Sequence, residues 1–160
     1  MNHWLMLIIS IAIPLVIGLA GGYLTYSQIA GWYEKLIKPK WNPPNWIFGP
    51  VWTLLYILMG ISLYIIWNSG ADATLLQPAM GLFFMQLVLN FLWSLFFFNR
   101  HEVAIALAGI LTLWVIILLT IFTFVPISPL AAWLMVPNIV WVSFASILNF
   151  RIWRLNRETK

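Results

Sequence analysis

The chain has 160 residues, 63% of them hydrophobic and 8% charged, with a mean hydropathy of +0.96. Soluble domains carry about 25% charged residues, so an aqueous globular fold is excluded. The absence of cysteine excludes disulfides, thiolate metal sites and a cysteine nucleophile.

Five stretches reach the roughly 20 mostly apolar residues that a bilayer crossing needs: about 5–26, 48–67, 79–98, 103–125 and 131–150. None contains Asp, Glu, Lys, Arg or His. Lipid offers the backbone no hydrogen-bond partners, so such runs must be helices. The expectation is an all-α integral membrane protein, one domain built as a bundle of five transmembrane helices. In the first span, Ser10, Pro14, Gly18, Gly22 and Thr25 recur at three- or four-residue spacing. Gly18 and Gly22 form a G-x-x-x-G pair that permits close helix approach, within the chain or between copies. Nothing basic precedes this span and no small-residue cleavage site follows it, so it is expected to stay as a first helix.

The first connection, residues 27–47, is the longest. Pro39, Pro43 and Pro44 stiffen it, and it presents Trp41 and Trp46 at headgroup level. The next helix is expected to start near Pro44–Asn45, or only at Pro50, because proline suits a first turn. A long, aromatic, semi-rigid connection has the form of a lid.

In the second span, Trp52, Tyr56 and Gly60 share a face by i, i+4 spacing. Gln86, Asn90, Trp93 and Phe97 do so in the third, and Asn138, Trp141, Ala145 and Asn149 in the fifth. An unpaired amide in hydrocarbon costs several kcal/mol, so these amides point into the bundle. Two readings fit them: interhelical glue, or the few polar points of an apolar, ring-lined ligand site. Trp4, Trp67, Trp133 and Trp153 suit the aromatic belts of a bilayer. Trp52, Trp93 and Trp141 lie a turn or more inside their spans. The fourth span offers only Thr112, Thr120 and Thr123, whose hydroxyls can bond their own helix, and it reads as structural.

Five crossings put Lys35, Lys38, Lys40, Arg100, Arg151, Arg154, Arg157 and Lys160 on one side, with only Asp72 and His3 on the other. Basic loops stay cytoplasmic, so the N-terminus is expected outside and the C-terminus inside. The net charge of +4 is thereby explained as a topology signal, and no nucleic-acid partner is expected. The spans hold no titratable side chain for acid–base catalysis. They also lack the intramembrane carboxylate of a proton-coupled transporter. His3 and His101 fall on opposite sides, so no metal site is expected.

The segment Trp32-Tyr33-x-x-Leu36-x-Lys38-Pro39-x-Trp41-x-Pro43-Pro44 is followed by Phe48-Gly49-Pro50-Val51-Trp52-Thr53-x-Leu55-Tyr56-x-x-Met59-Gly60. Further on come Gln86-Leu87-x-x-Asn90-x-x-Trp93-Ser94-x-x-Phe97-Phe98 and Pro137-x-x-x-Trp141-x-x-Phe144-Ala145-x-x-Leu148-Asn149. Together these resemble, over nearly the whole chain, the TspO family of tryptophan-rich sensory proteins and translocator proteins (peripheral-type benzodiazepine receptors).

The resemblance implies a five-helix bundle, usually a homodimer in the lipid bilayer, with a pocket on the loop side. It implies porphyrin ligands such as protoporphyrin IX, with no cofactor required. Carried over by matched position, Tyr33, Trp52, Asn90, Trp141 and Ala145 would line the pocket. The lid segment adds Trp41 and Pro44, and the faces derived above add Tyr56, Gln86, Trp93 and Asn138, to the candidate ligand-binding set. Two positions depart from the family pattern: Asn138 stands where a Tyr is common, and Phe150 replaces the sterol-motif tyrosine. Sterol binding is therefore not expected. The expected function is a membrane receptor or sensor for porphyrin-like ligands. The alternatives are a transporter of such molecules, or a light-dependent porphyrin-degrading enzyme in which the pigment carries the chemistry and Trp52 and Trp141 act as electron donors. The expected location is a bacterial plasma membrane.

Overall fold

Every apolar run forms a helix, and most helices outlast their runs. The computed structural model describes residues 2–157. Helix α1 (His3–Gln28) opens where the Asn2 side chain accepts from the Trp4 N–H at 3.2 Å, satisfying one of the orphan donors of a helix start. It runs on into a π-helical turn, Ile29–Tyr33. Helix α2 is Asn45–Trp67, and α3 is Ala73–Ser94 with a second π-helical turn, Leu95–Asn99. Helices α4 (Val103–Phe124) and α5 (Pro129–Arg157) complete the chain. All five are long and apolar enough to cross a membrane, and the protein is an all-α integral membrane protein.

Several ends differ from the apolar runs. Helix α2 takes the earlier of its two expected starts, with Pro44 just outside it and Pro50 tolerated in the second turn. Helix α3 begins ahead of Pro78 rather than after it; so near a helix start, the missing proline N–H leaves only an early carbonyl without its partner. The π-helical turn lengthens the first crossing, so the lid shortens to residues 34–44. Helix α5 continues past Phe150 and carries Arg151, Arg154 and Arg157 on the helix itself. Lys160 lies outside the described residues.

Around the bundle the order is α1, α2, α5, α4, α3, with α3 closing back on α1. Consecutive α2 and α3 barely touch, because both pack on α1. Close approach of α1 and α2 depends on glycine. A Cβ at Gly60 would collide with the backbone of Ser10 and Ile11, and one at Gly18 with the Tyr56 ring. The Gly18 half of the G-x-x-x-G pair is thus used within the chain, whereas Gly22 meets nothing within 4 Å. Ser62 Oγ donates to the Ala131 carbonyl at 2.7 Å, and Trp114 Nε1 to Ser143 Oγ at 2.8 Å, tying α5 to α2 and α4. The threonines of α4 behave as expected: Thr112, Thr120 and Thr123 all donate to carbonyls of their own helix.

Candidate functional site: an aromatic chamber under a pinned lid

The chamber forms at the end of the bundle where α1 and α3 finish and α2 begins. Tyr33 comes from the first π-helical turn, Phe48 and Trp52 from the start of α2, and Trp93, Phe97 and Phe98 from the end of α3. Trp141, Ala145, Leu148, Asn149 and Ile152 supply the α5 wall. Helix α4 contributes none of these residues. Both π-helical turns sit at the chamber, and such widened turns recur at functional sites because they re-aim side chains. The second turn brings both Phe97 and Phe98 to the chamber.

The rings pack as a continuous tilted cluster, with Phe48 edge-on to Trp141 and Phe98 edge-on to Trp93. Trp52 lies 5.9 Å from Tyr56 at 28° and 6.0 Å from Trp93 at 35°. Trp93 lies 5.7 Å from Phe97 at 32°, and Trp141 lies 5.3 Å from Phe144 at 36°. Each such pair contributes about 0.5–1.5 kcal/mol beyond area burial. Asn149 fixes one of these rings: its Oδ1 accepts from Trp93 Nε1 at 3.1 Å, while its Nδ2 donates to the Val103 carbonyl at 3.1 Å. The indole N–H of Trp141 is buried without a partner. The space left between the rings is about 20 Å³, the room of a single water.

The lid is pinned at both ends and over its middle. Lys38 Nζ donates to the carbonyls of Tyr33, Glu34 and Leu36 at 2.7, 3.0 and 3.2 Å and sits 4.8 Å from the centre of the Tyr33 ring. Partial burial lowers the Lys38 pKa from its ordinary value, with the Glu34 carboxylate acting the other way. The Tyr33 hydroxyl donates to Asn42 Oδ1 at 2.9 Å. Asn156 at the end of α5 clamps the Ile37 backbone, accepting from its N–H at 3.1 Å and donating to its carbonyl at 2.9 Å. Trp41 lies edge-on to Phe144 at 5.8 Å.

Of the residues singled out in the sequence, Tyr33, Trp52, Trp93, Trp141 and Ala145 meet around this one cavity. Tyr56 backs Trp52 and fills the notch at Gly18. Trp41 reaches the chamber only through Phe144, and Pro44 is exposed at the start of α2. Gln86 and Asn138 lie outside the chamber, in a separate polar node. There Asn138 Nδ2 donates to Gln86 Oε1 at 3.2 Å, and Gln86 Nε2 approaches Met59 Sδ at 3.3 Å. Asn90, on the same α3 face, is fully buried, and both its amide atoms lack a partner. Phe97 and Asn149 were on the inward faces but outside the candidate set; their i+4 spacing from Trp93 and Ala145 was the available signal. Phe48, Phe98, Leu148 and Ile152 carried no comparable one.

The TspO/MBR family profile matches residues 10–154. The chain belongs to the TspO/MBR family. It is 43% identical over 152 residues to the tryptophan-rich protein TspO of Archaeoglobus fulgidus, covering 95% of this chain and 97% of that one. With the protein of the same name from Chlorobaculum tepidum it shares 41% identity over 152 residues, 95% and 96% of the two chains. The translocator protein of Sus scrofa is 36% identical over 143 residues, 86% of this chain and 84% of that one. Such coverage spans all five crossings, the lid and both π-helical turns of this family member.

Proposed function

We propose that this TspO/MBR protein is a membrane receptor or sensor whose chamber takes a flat, largely apolar, porphyrin-like ligand beneath the 34–44 lid. The carrying observation is the closure of the chamber over its own rings. Ligand pockets usually enclose about 300–1,000 Å³, far above the 20 Å³ here. A macrocycle would therefore enter only if rings and lid part, and its arrival would change the lid. A ligand that favours the parted arrangement shifts that population, which is what a sensor requires. The flat faces of Trp52, Trp93 and Trp141 around one cavity suit a conjugated, largely apolar ligand, and the Trp141 N–H, buried without a partner, suits a polar edge. The same features admit a light-dependent reaction of the bound pigment, because Trp52 and Trp141 both line the cavity.

The test is a titration of detergent-purified protein with protoporphyrin IX in the dark, alongside Trp52→Ala and Trp141→Ala. Saturable binding weakened by both supports the reading. Binding indifferent to both in folded protein would overturn it. Flux of the same porphyrin into protein-loaded vesicles would favour transport. Bleaching that needs light and is slowed in Trp52→Phe would favour the photochemical reading.

A further inference from the structure

Beyond the chamber, the exposed end of α5 carries a second arrangement of rings and cations. Phe150, Trp153, Arg154 and Arg157 follow i, i+3, i+4, i+7 spacing, so they form one stripe, and they line an open groove of about 360 Å³. The Arg157 guanidinium sits 5.3 Å from the Trp153 ring centre, and Phe150 lies 6.0 Å from the same ring. Both arginines are exposed. No carboxylate pairs with either one among the described residues.

The depth of the stripe narrows the choice of ligand. Phe150 closes the last uncharged run, so its ring stands where the hydrocarbon ends. At 1.5 Å per residue, Arg154 and Arg157 lie about 6 and 10 Å further out, within or just beyond a headgroup layer about 5–8 Å thick. Rings toward the acyl region and guanidiniums among the headgroups match an amphiphile with an anionic head. Guanidinium pairs especially well with phosphate, through two parallel hydrogen bonds. Phe150 has no hydroxyl to receive a neutral sterol head.

We propose that this stripe is a seat for an anionic phospholipid, whose phosphate bridges Arg154 and Arg157 while its upper acyl chain lies on Phe150 and Trp153. Asn156, one position before Arg157, holds the lid backbone at Ile37, so the seat adjoins the lid's α5 clamp. The proposal does not depend on the porphyrin reading.

A control is built into the helix. Arg151 is exposed, carries the same charge and belongs to the same helix end, but it does not line the groove. It lies about 100° round the helix from Phe150 and about 120° from Arg157, and only its i+3 neighbour Arg154 is nearer, at about 60°. Full-length protein in mild detergent would be given phosphatidylglycerol or phosphatidylcholine with matched chains, and retained lipid counted by native mass spectrometry. Phosphatidylglycerol should be retained in preference. Arg154→Gln and Arg157→Gln should each weaken its retention about fivefold, and the pair about 25-fold, whereas Arg151→Gln should change it less than twofold. Excess glycerol phosphate should not displace the lipid, because the rings hold the acyl chain; displacement would mean a free-phosphate site and overturn the lipid assignment. Equal retention of both lipids, or an Arg151→Gln loss as large as that of Arg157→Gln, would reduce the stripe to general surface charge. Should the double variant fail to fold, the two single variants carry the same test.

Discussion

Gln86 and Trp93 lie two turns apart on one face of α3, and Asn138 and Trp141 one turn apart on α5, yet the two levels differ in kind. At the Gln86–Asn138 level, amide meets amide at 3.2 Å beside the Met59 sulfur, and the gap between helices is closed by hydrogen bonding. At the Trp93–Trp141 level rings take over, with Trp52 of α2 meeting Trp93 of α3 at 6.0 Å. Helical spacing puts a residue on a face. Depth along the bundle decides whether that face meets a polar partner or a cluster of rings. The node is closed by hydrogen bonds, and the chamber by rings.

The sharpest way to break this contrast is Gln86→Leu, which leaves the Asn138 amide buried without its acceptor. Stability should fall by about 1–3 kcal/mol, read as a lower unfolding midpoint in detergent, with porphyrin affinity nearly unchanged. The double variant Gln86→Leu/Asn138→Leu should recover most of that loss, since removing both partners of a buried bond is nearly neutral.

Trp141→Ala should do the reverse: affinity for protoporphyrin IX down about tenfold from lost stacking, with a smaller stability loss because the ring is only half-buried. Comparable effects of Trp141→Ala and Gln86→Leu on both readouts would erase the distinction between levels.

Asn149→Leu tests whether a hydrogen bond below the rings governs their pose. Freeing the Trp93 N–H should cost about 1 kcal/mol and weaken binding about fivefold, with an altered near-ultraviolet dichroism signal. The smallest effect is expected at the lid. Tyr33→Phe removes only the bond to Asn42 and should speed ligand dissociation about threefold, corresponding to about 0.6 kcal/mol, as measured by stopped-flow chase.

Much of this was legible in the primary structure. The five crossings followed from apolar run length, and the inward faces of α2, α3 and α5 from i, i+4 spacing. The structural character of α4 followed from its threonines, each of which bonds its own helix. Trp52, Trp93, Trp141 and Ala145 lie on the inward faces, Tyr33 follows from the family resemblance, and all five line the cavity, whereas Asn90, matched in the same way, does not. Gln86 and Asn138 show the limit of that approach: their spacing matches that of Trp93 and Trp141, and nothing in it reveals the depth at which helices meet. The π-helical turns were equally hidden, since a run such as Leu95–Asn99 reads as ordinary helix, yet the turn there carries Phe97 and Phe98 into the chamber.

What the chain determined by itself is therefore what local chemistry can enforce: helices where lipid denies the backbone other partners, and faces set by 3.6 residues per turn. The lid pins lay beyond it. Lys38 caps three carbonyls because the chain turns back over Tyr33, and Asn156 finds Ile37 from 119 positions away. Those contacts, the circular helix order and the near-closed chamber depend on which surfaces meet in three dimensions, and only the tertiary structure decides that.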